Sequence, residues 1–155
     1  MNDTEKGTPT ENLRGIDAFG FAIYSVFHSL NKVYKILLDP LELTYPQYLV
    51  MQVLWDRDGL TVGEIGEVLY LDSGTLTPLL KRLELAGRVK RTRDLIDERQ
   101  VRITLTDEGR AMSSNSEQIQ NRIWSATGLD AKSVAAFRKQ LVILRNNLER
   151  RDGGL

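Results

Sequence analysis

The chain has 155 residues, of which 41% are hydrophobic and 27% charged, and its net charge is zero. These values are typical of one globular domain that is long enough to bury its own core. The absence of cysteine excludes disulfides, thiolate metal sites and thiol redox chemistry, and a lone histidine, His28, excludes a histidine metal cluster. No apolar run approaches the roughly 18 residues that cross a bilayer, and the N-terminus lacks the pattern of a signal peptide. We therefore expect a cytoplasmic protein without membrane contact. We also expect no cofactor.

Charge is distributed unevenly along the chain. Residues 39–72 carry seven acidic side chains and one basic one, whereas residues 81–102 carry eight basic and four acidic ones. A local excess of cations favours contact with phosphates. A solvated charged face is the alternative, since most charge runs have no partner.

The N-terminal part predicts a tail and then a long helix. Residues 1–14 are polar, and we expect them to form a flexible tail ahead of a single domain over residues 15–155. Apolar side chains then recur at helical spacing from Ile16 to Leu37, which predicts an amphipathic helix over residues 15–38 that Pro40 ends.

Three shorter helices are predicted next from their capping signals. Each begins with a hydroxyl or carboxyl side chain suited to an N-cap, and Gly87 stands where a C-terminal glycine would close the third. In that third helix one face is apolar. The capping pairs are Thr44 with Gln47 and Thr61 with Glu64, the third N-cap is Asp72, and the apolar face is Leu76, Leu79, Leu80 and Leu83.

After Gly87 the apolar period changes from helical to alternating. Val101, Ile103 and Leu105 alternate with polar residues, as in a half-buried strand, and residues 89–93 can pair with it across a loop at 94–99. Two helices joined by a tight turn and followed by a hairpin predict a winged helix-turn-helix lobe over residues 44–106.

The C-terminal part predicts two more helices. Thr106 begins a mostly polar one that reaches Trp124, Gly128 ends it, and Asp130 caps the last helix, whose apolar residues are spaced 3-4-3-4. The fold class is therefore mainly α with a small β-hairpin wing. Because the helices at 15–38 and 107–150 carry more apolar surface than one lobe can cover, we expect a homodimer; helices folded back on their own lobe are the alternative.

The third short helix and the hairpin suggest contact with double-stranded DNA. The helix face opposite the leucines can approach a major groove closely, because its hydroxyl side chains are small and its cations are long. The hairpin can place arginine in a minor groove, with Asp97 holding Arg99 in a bidentate pair. An amphipathic helix without a partner and a weak surface salt bridge are the alternatives. The candidate contacts are Thr75, Thr77, Pro78, Lys81 and Arg82 in the helix, and Arg91, Arg93 and Arg99 in the hairpin, whose first strand also carries Lys90.

Three stretches carry a family resemblance: "LTYPQYLVMQVLW", "LTVGEIGEVLYLDSGTLTPLLKRLELAGRVKR" and "DERQVRITLTDEGR". They resemble the multiple-antibiotic-resistance regulator (MarR) family, and most closely its organic-hydroperoxide-responsive branch. The resemblance implies a homodimeric repressor that binds a pseudo-palindrome and releases it when an effector enters a pocket between the DNA lobe and the dimer helices. It implies DNA contacts at Ser73, Thr75, Thr77, Lys81, Arg82, Asp97 and Arg99.

The chain departs from that branch at the sensing residue. Where the branch has a reactive cysteine before a phenylalanine, "GFAIY" places Gly20, so thiol-based peroxide sensing is excluded. We hypothesise instead an apolar pocket for a small aromatic or lipophilic ligand; the alternative is that these residues only pack in the core. The candidate pocket residues are Phe19, Gly20, Ile23, Tyr24, Phe27, Tyr34 and Tyr45.

Other functions have less support in the sequence. No phosphate-binding glycine loop, serine elbow or histidine–carboxylate arrangement is present, so an enzyme is not expected. A winged-helix module that binds proteins rather than a DNA operator is the alternative. Such modules lack the concentrated cations found here.

Overall fold

The computed structural model of the chain describes residues 18–151, and the predicted tail at 1–14 lies outside them. Helix α1 (Ala18–Leu38) spans 21 residues and continues into a 3₁₀ turn, Asp39–Leu41. Pro40 lies in that turn, where its missing N–H ends the α-helical hydrogen bonding, as predicted. None of the helices in the described part of the chain combines the length and apolarity needed to cross a bilayer.

Both predicted capping boxes are present at the next two helices, α2 (Tyr45–Asp56) and α3 (Val62–Leu69). Thr61 accepts the backbone N–H of Glu64 at 3.2 Å and donates its own backbone N–H to the Glu64 carboxylate at 2.8 Å. The hydrogen bond from the Thr61 backbone N–H lowers the pKa of the Glu64 carboxyl. Thr44 and Gln47 make the equivalent pair at α2.

Helix α4 (Ser73–Leu85) has both predicted ends. Asp72 accepts the backbone N–H of Thr75 at 2.8 Å, which also lowers the Asp72 pKa. At the C-terminus Gly87 has φ +70°, and the N–H groups of Gly87 and Arg88 bond to the carbonyls of Glu84 and Leu83. This is the Schellman arrangement, in which a left-handed glycine satisfies the last carbonyls of the helix.

The wing is a three-stranded antiparallel sheet in the order β1-β3-β2. Strand β2 (Val89–Arg93) pairs with β3 (Val101–Leu105) in the predicted arrangement, with Val89 opposite Leu105 and Arg93 opposite Val101. Strand β1 (Leu60–Thr61) was not predicted. Two residues are too few to display an alternating pattern, and Thr61 also caps α3.

The helix predicted from Thr106 to Trp124 requires a correction. It is divided into α5 (Asp107–Ala111), a 3₁₀ segment (Met112–Asn115) and α6 (Ser116–Thr127). Side chains of Ser114, Asn115 and Ser116 each donate to the carbonyl three residues back, which competes with regular α-helical bonding. Gly128, with φ +66°, ends α6 as predicted.

Most of the buried core lies in the winged helix-turn-helix lobe, and Leu38 of α1 and Ile119 and Ile123 of α6 are buried in the same cluster. Leucines of α4 pack with side chains of α2, α3 and the sheet, and Trp55 of α2 donates its indole N–H to the Gly109 carbonyl at 2.8 Å. The last helix, α7 (Ala131–Arg151), is capped by Asp130, and Phe137, Leu141 and Leu148 of its predicted apolar stripe are exposed. The fold is therefore mainly α with a small β wing. The fully buried side chains include Tyr48, Met51, Leu54, Ile65, Leu76, Leu80, Leu83 and Ile103.

Candidate nucleic-acid interface

Helix α4 presents the predicted polar face to solvent. Five of the predicted contacts are exposed and Thr77 is half-buried, whereas three of the four leucines on the opposite face are buried and Leu79 is half-buried. The exposed contacts are Ser73, Thr75, Pro78, Lys81 and Arg82. Pro78 is the sixth residue of the helix and so lies beyond the first turn. It removes the N–H that would bond to the Gly74 carbonyl.

The threonine hydroxyls of α4 are already used as donors within the helix. Thr75 donates its hydroxyl to the Asp72 carboxylate at 3.1 Å, and Thr77 donates to the Ser73 carbonyl at 2.7 Å. A hydroxyl that has donated its proton still has lone pairs. Toward DNA these two side chains are therefore acceptors, suited to the amino groups of adenine or cytosine.

The two cations of α4 face solvent without an internal partner. Neither Lys81 nor Arg82 forms a salt bridge within residues 18–151, and both are exposed. An unpaired cation can bind a phosphate at a smaller cost in free energy, because no existing ion pair has to break.

The wing contains the predicted pair of Asp97 and Arg99. The Arg99 guanidinium donates to both carboxylate oxygens of Asp97, at 3.0 and 3.1 Å. Hydrogen bonding to Arg99 lowers the pKa of Asp97, and the same bond raises the pKa of Arg99. Although it is paired, the Arg99 side chain is 90% exposed. Its guanidinium is held in one orientation while it remains accessible.

Two other wing arginines differ in their surroundings. Arg91 is turned toward α4: its backbone N–H and its guanidinium donate to the Glu84 carboxylate at 3.1 and 3.4 Å, and its side chain is only 22% exposed. Arg93, two residues along the same strand, is exposed. The structure thus brings Arg93 and Arg99 to the solvent side of the wing and holds Arg91 against the helix.

Residues that the sequence analysis missed support the base of the wing. Asp94 is 7% exposed and accepts the backbone N–H groups of Ile96 and Asp97 at 2.9 and 3.0 Å. Its other carboxylate oxygen accepts Arg102, which also donates to the carbonyl of Gly59. Hydrogen bonds from Asp97 and Ile96, followed by Arg102, lower the pKa of Asp94 to about 2. The signal available in the sequence was an aspartate opening a turn.

A cation–π contact joins the C-terminal helix to the turn before α4. The guanidinium carbon of Arg145 in α7 lies 4.0 Å from the centroid of the Tyr70 ring. Tyr70 ends α3 in the left-handed region, with φ +56°, two residues before the Asp72 cap of α4. Helix α7 therefore contacts the segment that positions α4.

The predicted effector-pocket residues do not form one cluster. Phe19, Ile23 and Phe27 line an apolar groove of about 600 Å³ between α1 and α7, whose other wall includes Phe137 and Leu141. The predicted pocket residues Gly20, Tyr24, Tyr34 and Tyr45 are not part of the groove lining.

The tyrosines lie in two other places. Tyr34 and Tyr45 stack with ring centroids 4.0 Å apart, next to Tyr48, and burial raises the pKa of all three hydroxyls. Tyr24 stacks on His28 at 6.2 Å along α1. The first group packs α1 on α2, as in the packing alternative.

Comparison with known proteins gives the class of the molecule. The chain is similar to the transcriptional regulator TtmR of Methylorubrum extorquens, 48% identical over 133 residues, covering 86% of this chain and 68% of that protein. It is 39% identical over 132 residues to the organic hydroperoxide resistance transcriptional regulator of Bacillus subtilis, covering 85% and 90%. Together with the fold, these similarities define a winged helix-turn-helix transcriptional regulator of the MarR type, as the resemblance implied.

Structural comparison agrees. AbfR of Staphylococcus epidermidis is 35% identical with TM-score 0.70, covering 85% of this chain and 89% of that one. Reduced AbfR bound to DNA is 37% identical with TM-score 0.69, covering 83% and 89%. The family model described as transcriptional regulator SarA/Rot matches residues 32–115. The chain belongs to this SarA/Rot family of transcriptional regulators.

Proposed function

We propose that the chain is a sequence-specific DNA-binding repressor that acts as a homodimer on a pseudo-palindromic operator. The observation that carries this proposal is the solvent-facing cationic side of α4 beside an arginine-bearing wing, both fixed on one buried core. A similar protein, AbfR, has been crystallised on DNA.

Helix α4 would read the major groove. Lys81 and Arg82 have no salt-bridge partner among the described residues, and either can donate to phosphate oxygens or to guanine. Thr75 and Thr77 would contribute acceptors at close range. Pro78 presents an apolar ring that can pack against a thymine methyl.

The wing would contact the minor groove beside that site. The Arg99 guanidinium is largely exposed and is held in one orientation by Asp97. Because the side chain is already ordered, it loses less conformational entropy when it enters a narrow minor groove. Arg93 would add a phosphate contact from the strand.

The homodimer is supported by exposed apolar side chains on α1 and α7. Phe19, Phe27, Phe137 and Leu141 are between 44% and 61% exposed and follow one stripe on each helix. Contiguous apolar surface of this kind favours burial against a second copy. A twofold dimer would separate two α4 helices by about one turn of DNA, roughly 34 Å.

We further propose that a small lipophilic or aromatic ligand, rather than thiol oxidation, relieves DNA binding. The sequence contains no cysteine, and the groove between α1 and α7 has a volume suited to such a ligand. The groove is open in the single chain, so a second copy packed across it would enclose the ligand. Titration of phenolic and fatty acids against the protein–DNA complex tests this; operator affinity unchanged by all of them would contradict it.

The principal experiment is selection of bound sequences from random duplexes with the full chain. We expect a palindromic consensus, and binding that weakens steeply between about 50 and 200 mM salt. Recovery of no consensus would support the protein-interaction alternative.

Arg82→Ala separates base reading from phosphate contact. We expect a loss of operator affinity of roughly ten- to a hundredfold and a much smaller loss on random duplex, because a base contact contributes only at the operator. Lys132→Ala, which removes an exposed cation from α7, is the matched control and should leave both affinities unchanged. Equal losses on both duplexes for Arg82→Ala would show a phosphate contact only.

A further inference from the structure

The tip of the wing carries two large apolar side chains that the DNA-binding proposal does not use. Leu95 and Ile96 are 100% and 96% exposed, more than any other large apolar side chain in residues 18–150. Hairpin tips ordinarily carry Gly, Asn, Asp, Pro or Ser, which suit a tight turn and water. An adjacent leucine and isoleucine that are fully exposed to solvent therefore indicate a surface that is buried against a partner.

The tip is held in a defined shape. Asp94 accepts the N–H groups of Ile96 and Asp97 and is itself anchored by Arg102. The loop is closed at its base, where the Asp94 N–H bonds to the Gln100 carbonyl at 2.9 Å, and the Gln100 N–H bonds to the Asp97 carbonyl at 2.9 Å. Because the backbone is fixed on both sides, Leu95 and Ile96 are presented as a rigid pair.

The surroundings of the tip favour DNA as the partner. The strand leading to it exposes Lys90 and Arg93, and Arg99 follows it, while Glu98 is the exposed acidic residue beside them. The carboxylates of Asp94 and Asp97 are bonded to arginines. Strand β2 is also tied to α4 through the Glu84–Arg91 pair, so the tip continues the surface that α4 presents to DNA.

We propose that Leu95 and Ile96 form an apolar wedge that enters the minor groove beside the segment bound by α4 and makes affinity depend on the width and deformability of that groove. The proposal rests on the proposed DNA-binding function. Apolar side chains are well suited to this contact, because the minor groove walls are sugar edges and the base steps can partly unstack around a wedge. The contact adds no charge to the interface.

The test compares two double variants on the duplex selected by the wild-type chain. Leu95→Ser with Ile96→Ser removes the wedge, and we expect roughly tenfold weaker binding with an unchanged dependence on salt, since no cation is lost. Leu95→Met with Ile96→Met keeps an apolar tip and should stay within about twofold of wild type. Both residues are fully exposed, so thermal unfolding should be the same for all three proteins.

Inosine substitution locates the contact. Replacing flanking guanine by inosine removes the amino group from the minor groove and leaves the major groove face unaltered. We expect it to change wild-type affinity by about threefold or more and to have a clearly smaller effect on the serine variant, in which only Arg99 still contacts the minor groove. Serine-variant affinity equal to wild type, or a full inosine response in the serine variant, overturns the proposal.

Two further measurements cover other partners. Co-sedimentation with vesicles containing anionic lipid, and sedimentation of the protein alone, should not differ between wild type and serine variant. A difference there with unchanged DNA affinity would overturn the proposal in favour of a membrane or a second copy. If the wild-type chain selects no duplex, the proposed function itself fails. If the wild-type chain selects a duplex and the serine variant binds it equally well, only the wedge proposal fails.

Discussion

Asp94 shows how one buried carboxylate can set the shape of the wing loop. Its two oxygens receive four hydrogen bonds, from two backbone N–H groups and from two nitrogens of Arg102. Such bonds favour the ionised form, which is why the pKa of Asp94 falls to about 2. A pKa below the ordinary value means that the charged carboxylate stabilises the folded chain.

The pH dependence of stability should reveal this carboxylate. The contribution of Asp94 is complete above its ordinary pKa near 4 and is lost as the pH falls from there toward 2. Urea unfolding followed by circular dichroism should show that Asp94→Asn is less stable at pH 7 and that this deficit shrinks below about pH 4. Asp56→Asn, which changes an exposed carboxylate, is the control. A deficit that stays constant from pH 7 to pH 2 would contradict the assignment.

Gly109 is required by close backbone approach. A Cβ atom built there would overlap the carbonyl oxygen of Arg88, and the Gly109 carbonyl accepts the Trp55 indole. Gly109→Ala should therefore lower the free energy of unfolding by roughly 2 kcal/mol or more, as overpacking does. Gly63→Ala is the matched control, since a Cβ there meets only an ordinary contact with Thr61 at 3.9 Å. Equal stability of the two variants in urea unfolding would refute the requirement.

At the scale of elements, Glu84 couples helix α4 to the wing. Its carboxylate accepts both the backbone N–H and the guanidinium of Arg91, and it thereby holds that cation against α4. Arg91 stays a candidate DNA contact from the sequence. Its pairing with Glu84 was not predictable, because alternation along a strand shows which side chains share a face but not what lies opposite that face.

Glu84→Gln should release Arg91. The amide can still accept the backbone N–H, but the ion pair is lost, so we expect random-duplex affinity to rise by about threefold and the slope of log affinity against log salt to steepen by about one. Glu117→Gln, an exposed carboxylate on α6, provides the control for overall charge. An unchanged slope would show that Arg91 does not reach DNA even when freed.

Local signals in the sequence located most element boundaries. Thr44, Thr61, Asp72, Thr106 and Asp130 all cap the helices predicted from them, because a cap depends on residues three positions away. Strand β1 and the 3₁₀ segment were missed because they do not depend on local sequence signals alone. A two-residue strand is defined by the strand with which it pairs. Serine side chains can bond to backbone carbonyls in many helices, and the sequence does not show where this interrupts the α-helix.

The geometry of the candidate interface was predictable to the same extent. The outer face of α4 and the Asp97–Arg99 pair follow from spacing along one element. Asp94, Arg102 and Glu84 act through contacts between elements that are distant in sequence, and no periodicity reports those. The predicted effector pocket mixed residues from two sides of α1, since Phe19 faces the groove and Tyr34 faces α2.

At the scale of the whole molecule, the exposed stripes of α1 and α7 test the proposed dimer. Leu141→Glu places a charge in the stripe and should yield a monomer in sedimentation equilibrium, with operator affinity lowered at least a hundredfold because two linked half-sites become one. Ala135→Glu adds the same charge on the opposite face of α7 and should remain dimeric. A Leu141→Glu protein that is still dimeric would place the interface elsewhere.

The stacking of Arg145 on Tyr70 has a thermodynamic corollary. Helix α7 lines the apolar groove and also contacts the turn before α4, so this one helix connects the groove to the start of α4. A ligand in the groove that draws α7 away from Tyr70, and so weakens the binding of α4 to DNA, would couple the two sites. Reciprocity then requires that operator DNA weaken the binding of that ligand by the same factor. Measuring either affinity in the presence of the other partner gives the coupling between them.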